Sequence, residues 1–592
     1  MKRTIISAII LVCALAGCSK FDEMSKNPYA LYEAPSESFV HPIMFKTQYN
    51  LISIFRNTTV FLSQYAVTTN SESSSRIVGN YNIPEGTSDD IWTSIYLQYG
   101  NAVYMYEQAK SEENSPIQEV AELSPAMQAV ALVLRSFLIM QITDTYGDIP
   151  FKEAGLLPLS GTTNKYATAY DSQKDIYCAI ICMLEEANEL FSKCEALHFS
   201  AICDKTFGGD LDKWRRFGNS LYARVLMRAG MKAMEESNGV LELDDPWGAV
   251  NVRIKLSEIY DCFVSGSGDY PVMRSRADRP MVPFSIQNET EQTPFYTTTN
   301  GIWNSVAVCD VLTRRMLDYT EAVDSDGQKY YKYKPGQYNV LSPSTGHAED
   351  PRFDCWWRKA NGMPNQMLNA AQVKFLDNSE HKSSAGNSLI GRMTYGNDYP
   401  SAISQKVFDL KNASSYPLMN YSELYFIFAE AGARGWISSA SGLGAYLSLL
   451  KQAVTESILE WNPYVTAESP QVVEYVNYVT NGEEYSGDTF NSENALEAIL
   501  TQKWIASFFM GIESWCDYRR TGFPILRTDG PAAGNNHILP TRLRYPSDEP
   551  YRNPEYYQAA LDSWLGGTNN IQTDVWWADT KESKANRLLG RQ

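Results

Sequence analysis

The sequence predicts a mainly α protein, with a scaffold of helix pairs interrupted by one long, loop-rich insertion. Three observations carry this reading. Apolar residues recur at three-four spacing in a series of stretches between residues 36 and 244, and again after residue 421. One of these stretches, residues 126–151 (AMQAVALVLRSFLIMQITDTYGDIPF), is apolar nearly all round, the mark of a buried helix. From 245 to 416 the composition turns to Pro, Gly, Ser, Asn and aromatics, with little helical period outside 305–319.

The chain begins with compartment signals. Lys2-Arg3 is a positive n-region, residues 5–14 are a short apolar run, and Leu15-Ala16-Gly17-Cys18 looks like a bacterial lipobox. This predicts a signal peptide over 1–17, lipidation of Cys18, and a polar tether over 18–31. Several acyl chains would anchor the protein stably, where one chain binds only marginally. Lys20 with Asp22-Glu23 resembles the surface-export signal of Bacteroidetes lipoproteins. Residues 32–592 then form a single domain, with scaffold at about 32–244 and 417–592 and the insertion at about 245–416.

The elements follow in order. Residues 36–67 predict a first helix and 68–90 a loop carrying Arg76 and Tyr81. Ser88-Asp89-Asp90 caps the next helix, with Ile91, Trp92, Ile95, Tyr99 and Val103 on its apolar face. Ser124-Pro125 supplies an N-cap and a first-turn proline for the buried helix. Arg135 interrupts its apolar run, leaving it short of the ~20 residues a bilayer span needs. Asp171 and Asp210 open two further helices. Starts spaced about 35–40 residues apart suit tetratricopeptide-like helix pairs. After the insertion, helices resume at Tyr421, at residues 444–461 and at residues 494–510.

Several motifs are more specific than periodicity. Asp144-Thr-Tyr146-Gly147-Asp148-Ile-Pro150-Phe151 follows the buried helix, with Arg135 two turns upstream. Next come Lys213-Trp214 through Asn219-Ser220-Leu221 to Arg224; Glu430-Ala-Gly-Ala-Arg434-Gly-Trp436; Gln502-Lys503-Trp504; Arg519-Arg520-Thr521-Gly522; and Leu539-Pro540 through Tyr545-Pro546. In this order they resemble the SusD/RagB family of nutrient-binding outer-membrane lipoproteins. The resemblance implies a SusD-like fold and a non-catalytic surface protein that captures oligosaccharide. It also implies a SusC-like TonB-dependent transporter as partner, and an outer-membrane location with the lipid-anchored protein facing the exterior. A peptide ligand, as some relatives take, is the alternative, and a surface glycoside hydrolase is the rival from another class. Some family members carry calcium, but no position here matches a known ligand motif.

The motif residues read first as architecture. Arg135, Arg224, Arg434, Arg519 and Arg520, with Asp144, Asp148, Glu430 and Glu513, lie among apolar residues. A buried charge must be paired and hydrogen-bonded, so arginine–carboxylate bridges are expected. A glycosidase pair would need two carboxylates roughly 5 to 10 Å apart across an open cleft, and nothing in the sequence indicates one. The formal charge of −18 argues against nucleic acid as a partner. The five histidines form neither HxH nor HExxH, and no CxxC occurs, so no metal site is predicted. Asp324-Ser325-Asp326-Gly327 reads as a tight turn rather than a calcium loop. Arg274, Arg276 and Arg279 with Asp278 form one small cluster, read as solvated. Aromatic side chains on loops suit sugars, which present apolar faces and polar edges. The ligand-binding candidates are therefore Tyr81, Tyr296, Trp303, Trp356 and Trp357.

Overall fold

The computed structural model describes residues 34–68, 81, 83, 85–156, 167–194, 197–285, 288, 291, 292, 294, 306–316, 319–323, 329–333, 348–356, 416–481, 494–526, 528 and 538–589. The fold is mainly helical. A first run comprises α1 (Val40–Ile54), α2 (Glu85–Glu112), α3 (Gln118–Tyr146), α4 (Gln173–Ser192) and α5 (Leu211–Ser237), each packed on the one before it. Next come α6 (Val252–Ser265), which packs on α5, and a short α7 (Asp310–Met316). A second run holds α8 (Tyr421–Ala433), α9 (Leu443–Trp461), α10 (Pro470–Asn481), α11 (Ala495–Ala506) and α12 (Glu513–Thr521). Contact of α8 and α12 with α5 joins the runs around one continuous apolar core. Further along the chain, α13 (Pro554–Trp564) leads to α14 (Lys581–Leu589), which packs on α12.

Strands only stitch the helices together. Among the described residues they form four two-stranded antiparallel pairs, with registers Ala66↔Val308, Ile149↔Asp171, Val240↔Asn251 and Tyr319↔Tyr333. The last four of these eight strands lie in the insertion, together with α6 and α7.

Local chemistry sets the helix ends. The Asp210 carboxylate accepts from Lys213 N at 3.2 Å and starts α5, which ends on Asn238 in the left-handed region. Ser172, not Asp171, caps α4 by accepting from Asp175 N at 3.1 Å; Asp171 pairs with Ile149 instead. α2 begins at Glu85, so Ser88, Asp89 and Asp90 lie in its first turns rather than before it. α3 begins at Gln118, with Pro125 inside it. The Ser124 hydroxyl donates to the Ala109 carbonyl at 2.7 Å, so it ties α3 to α2 instead of capping.

Three further expectations change. The first predicted helix is broken: a five-residue π turn, Phe55–Thr59, interrupts it after α1. At 29 residues α3 is long and apolar enough to cross a membrane, so its length excludes nothing; 83% of its most apolar window is buried inside the protein. α6 and α10 were not anticipated. Yet α6 buries Val252, Leu256 and Ile259, and α10 buries Val472, Tyr475, Val476 and Val479, both at helical spacing.

Candidate functional site

An open cleft lies where α1 ends. Phe55 anchors the π turn, its ring 5.1 Å from Phe508 and 5.2 Å from Phe509. A π turn inserts one residue into the helix and so re-aims the side chains after it; such turns recur at functional sites. Here Arg56, Asn57 and Thr58 form one wall of a groove of about 690 Å³. The opposite wall is the start of α2, with Thr87, Asp89, Asp90, Thr93 and Ser94 beside aliphatic Ile91 and Leu97. Asn50 stitches the walls together by donating to the Ser94 carbonyl at 3.0 Å.

The groove's polar groups are oriented. Arg56 Nε donates to Asn57 Oδ1 at 3.1 Å, and its Nη1 donates to the Pro294 carbonyl. Burial lowers the Arg56 pKa from its ordinary value. Asp89 accepts from Ser547 N at 2.9 Å and from Ser547 Oγ at 2.6 Å, which commits both its oxygens. The volume suits a small ligand. Amides, hydroxyls and a guanidinium beside aliphatic faces suit a polyhydroxylated one.

The motif residues lie elsewhere, in the core. Arg224 forks onto Glu423 at 2.7 and 2.6 Å and reaches Glu513 at 3.3 Å. One turn on, Arg228 bridges Asp144, at 2.5 Å, and Glu513. Tyr177 and the Trp577 indole fill the other oxygen of Asp144 at 2.6 and 2.8 Å. A second knot joins Arg520 to Glu430 at 2.6 and 2.7 Å and to Asp517 at 3.0 Å. Arg434 donates to Glu430 at 2.8 Å and Lys503 to Asp517 at 3.1 Å. Burial opposes the charge on Glu430, yet Arg520 and Arg434 hold its carboxyl down at about 2.

Not every expected bridge is an ion pair. Arg519 donates to the carbonyls of Asp144 and Thr541 at 2.7 and 3.0 Å, with its guanidinium 3.7 Å from the Trp515 ring centre. Arg135 lies over the Tyr106 ring at 5.1 Å. Asp148 Oδ1 accepts from Gln173 N at 2.8 Å. Backbone carbonyls, rings and amides thus do what carboxylates were expected to do.

The remaining motif residues lock chain crossings. The Tyr146 hydroxyl donates to the Ser88 carbonyl at 2.6 Å, and the Pro150 carbonyl accepts from Tyr96 at 2.6 Å. Gly147 has φ +87°, and a Cβ there would lie 2.2 Å from the Trp564 ring, so only glycine fits. Trp214 Nε1 donates to Asp204 at 2.9 Å, and Asn219 to Asn188 and the Pro271 carbonyl at 3.0 Å each. Trp504 stacks on Tyr65 with 4.5 Å between centroids. Arg228, Glu423, Lys503 and Asp517 were missed as bridge members. Arg228 was findable, one helical turn after Arg224 on the same buried face.

The predicted ligand rings are not gathered into one platform. Tyr81 is buried, and its hydroxyl accepts from Gln64 Nε2 at 2.8 Å. Trp356 is wholly enclosed, stacked on Phe508 at 4.7 Å. Neither offers a face to a ligand, because each is packed into the apolar core; this corrects the expectation for both. Tyr296, Trp303, Trp357, Cys18 and the turn at Asp324 lie outside the described residues. Of the arginine cluster, Arg276 reaches Glu456 at 3.2 Å and the Leu459 carbonyl at 2.9 Å, so it is pinned to α9 rather than free in solvent.

The family model SusD-like_2, described as starch-binding and associating with the outer membrane, matches residues 28–546. A SusD homologue from Parabacteroides distasonis superposes with a TM-score of 0.65 at 19% identity, over 93% of this chain and 98% of that one. A chitin-binding SusD homologue from Flavobacterium johnsoniae gives 0.64 at 18% identity, over 93% and 99%. A SusD homologue from Bacteroides fragilis gives 0.59 at 20% identity, over 91% and 99%. No curated protein matches the sequence.

Proposed function

The chain belongs to the SusD-like family, and from that premise we propose that it is a non-catalytic surface receptor that captures neutral oligosaccharide and hands it to a TonB-dependent outer-membrane transporter. One observation carries the reading: the match to a family described as starch-binding and outer-membrane-associating runs over residues 28–546, nearly the whole chain. The groove between the π turn and α2 supports it as the capture site. Its walls hold hydroxyl and amide groups beside aliphatic surface, as a sugar requires. Its two adjacent carboxylates are not poised for glycoside hydrolysis, since Asp89 is closed off by Ser547. Lipidation of Cys18 would hold the receptor at the membrane.

The test is calorimetric titration of the full chain, in a detergent without a sugar headgroup, against neutral oligosaccharides and peptides. Saturable binding of one glycan class, weakened at least tenfold by Asn57→Ala, is the expected result. Peptide binding alone, or release of shorter glycans during incubation, would overturn the reading. Affinity capture from native outer membranes should also recover a TonB-dependent transporter; capture without one would remove the delivery half of the proposal.

A further inference from the structure

A second open cleft, of about 550 Å³, shares no lining residue with the groove. The two are linked through one short segment. Ser547 holds Asp89 at the groove, and the Tyr545 hydroxyl donates to the Asp148 carbonyl at 2.6 Å at the second cleft. The second cleft is walled by Asp148, Ser172, Lys174, Trp564, Gln572 and Trp576, from the turn after α3, the start of α4 and the segments around α13 and α14.

Three features say what it would hold. First, the two half-buried indoles are fixed by their polar edges. Trp564 Nε1 donates to Tyr545 Oη at 3.2 Å, and Trp576 Nε1 to Glu236 at 3.3 Å. That leaves ring carbon to line the cleft, and flat apolar rings suit the C–H face of a sugar. Second, the formal charges of the wall are already neutralised. Asp574 takes both arms of Arg587 at 2.7 and 2.8 Å, Asp579 takes Lys584 and Lys232, and Lys174 takes Glu236 at 3.0 Å. An ionic ligand would have to break one of these pairs, whereas a neutral one need not. Third, Asp148 is the exception. Its Oδ1 accepts from Gln173 N at 2.8 Å, while Oδ2 has no hydrogen-bond donor among the described residues. A half-buried carboxylate oxygen open to a cleft is a strong acceptor for hydroxyl groups.

We propose that this cleft is a second binding site, which takes one or two residues of a neutral glycan. The sugar face lies on the indoles of Trp576 and Trp564, and its hydroxyls donate to Asp148. The proposal rests on the carbohydrate reading above for the class of its ligand, and on the cleft's own residues for its place. Two sites on one receptor would let it hold a chain at two points, and linked contacts raise avidity without strengthening either.

The experiment is titration of the full chain with maltotriose and with di-N-acetylchitobiose, by calorimetry and by saturation-transfer NMR. Wild type, Trp576→Ala, Trp576→Phe, Asp148→Asn and the groove variant Asn57→Ala are compared, each checked for an unchanged melting profile. The expected result is two binding events with at least one sugar. Trp576→Ala abolishes one, Asp148→Asn weakens that same event at least fivefold, Trp576→Phe restores most of it, and Asn57→Ala affects only the other. A single event lost in Asn57→Ala and untouched by the cleft variants overturns this inference and leaves the groove reading standing. A single event lost in Trp576→Ala and untouched by Asn57→Ala sustains this inference and removes the groove. No binding of either sugar overturns the inference. Should Trp576→Ala fail to fold, Gln572→Ala, at an exposed position on the cleft wall, serves as the truncation instead.

Discussion

The carboxylates of the core and Asp148 of the second cleft differ in what surrounds them. Glu430, Asp517, Glu513 and Asp144 are each met by at least one cationic side chain, and all are buried. Asp148 faces a cleft with one oxygen uncommitted among the described residues. The core charges hold helices α3, α5, α8, α11 and α12 in register; they are spent on structure. Asp148 keeps polar capacity in reserve. A side chain's type alone does not separate these roles, but the completeness of its hydrogen-bond shell does.

The largest break in that contrast is at Arg228. Arg228→Met leaves Asp144 and Glu513 buried without their shared cation. Breaking a buried pair from one side costs about 3–5 kcal/mol, most of it the uncompensated charge left behind. Chemical denaturation should show a loss of that size. Adding Glu513→Gln should recover part of it, because the two sites are coupled. A loss below about 1 kcal/mol would mean that water already reaches the knot.

A sharper comparison comes from pH, because Asp148 and Glu430 shift in opposite directions. Burial pushes the Asp148 carboxyl up from 3.8 to about 6, against the pull of its backbone hydrogen bond from Gln173 and of Arg542. The folded state therefore keeps a proton that the unfolded chain has released. The resulting stability is fully present below about pH 4 and is lost as pH rises through 6. Glu430 is held down at about 2 from 4.5, so its stability is present above about pH 4.5 and lost as pH falls through 2. Each shift corresponds to at most about 3 kcal/mol, and less for Asp148, whose cleft admits solvent that screens it. Melting curves between pH 3 and 7.5 should show Asp148→Asn gaining on wild type as pH rises from 4 to 6. Glu430→Gln should lag most near neutrality, with the deficit shrinking toward pH 3. Parallel curves for Asp148→Asn and wild type would mean that the carboxylate is better solvated than its place in the cleft suggests.

Much of the scaffold was legible because its signals are local. The Asp210 cap, the buried stripe of α3 and the break at Gly147 each sit within a few residues of their cause. What escaped depends on distant chain. Pro125 reads as a helix start until Ser124 is seen holding Ala109 from within a helix already begun. Trp356 reads as a loop aromatic until Phe508, more than a hundred residues on, is found beneath it. Arg519 reads as half of an ion pair until carbonyls from two separate segments are found to satisfy it. The groove was not legible at all. Its marker is a π turn, which inserts one residue into a run whose apolar spacing still reads as helix. Asn57 belongs to no motif that would single it out, and Asp90 stands out only as part of a helix cap.

The smallest expected effect tests whether the groove is a preformed shape or only a gap. Asn50 donates to the Ser94 carbonyl at 3.0 Å and is the one side-chain hydrogen bond found directly between the two groove walls among the described residues. A single hydrogen bond of this kind contributes about 1 kcal/mol net. Asn50→Ala should therefore lower global stability by no more than that, since α1 and α2 remain packed through their apolar faces. Ligand binding should suffer more than stability does. With the stitch gone, the walls must be brought to the bound spacing when the sugar enters, and that ordering is subtracted from affinity. Hydrogen exchange should speed up at the start of α2 and in the π turn while α5 and α12 stay protected. If affinity and exchange are both unchanged, the groove's shape comes from the packing of Phe55 on Phe508 and Phe509, and the π turn alone sets the site.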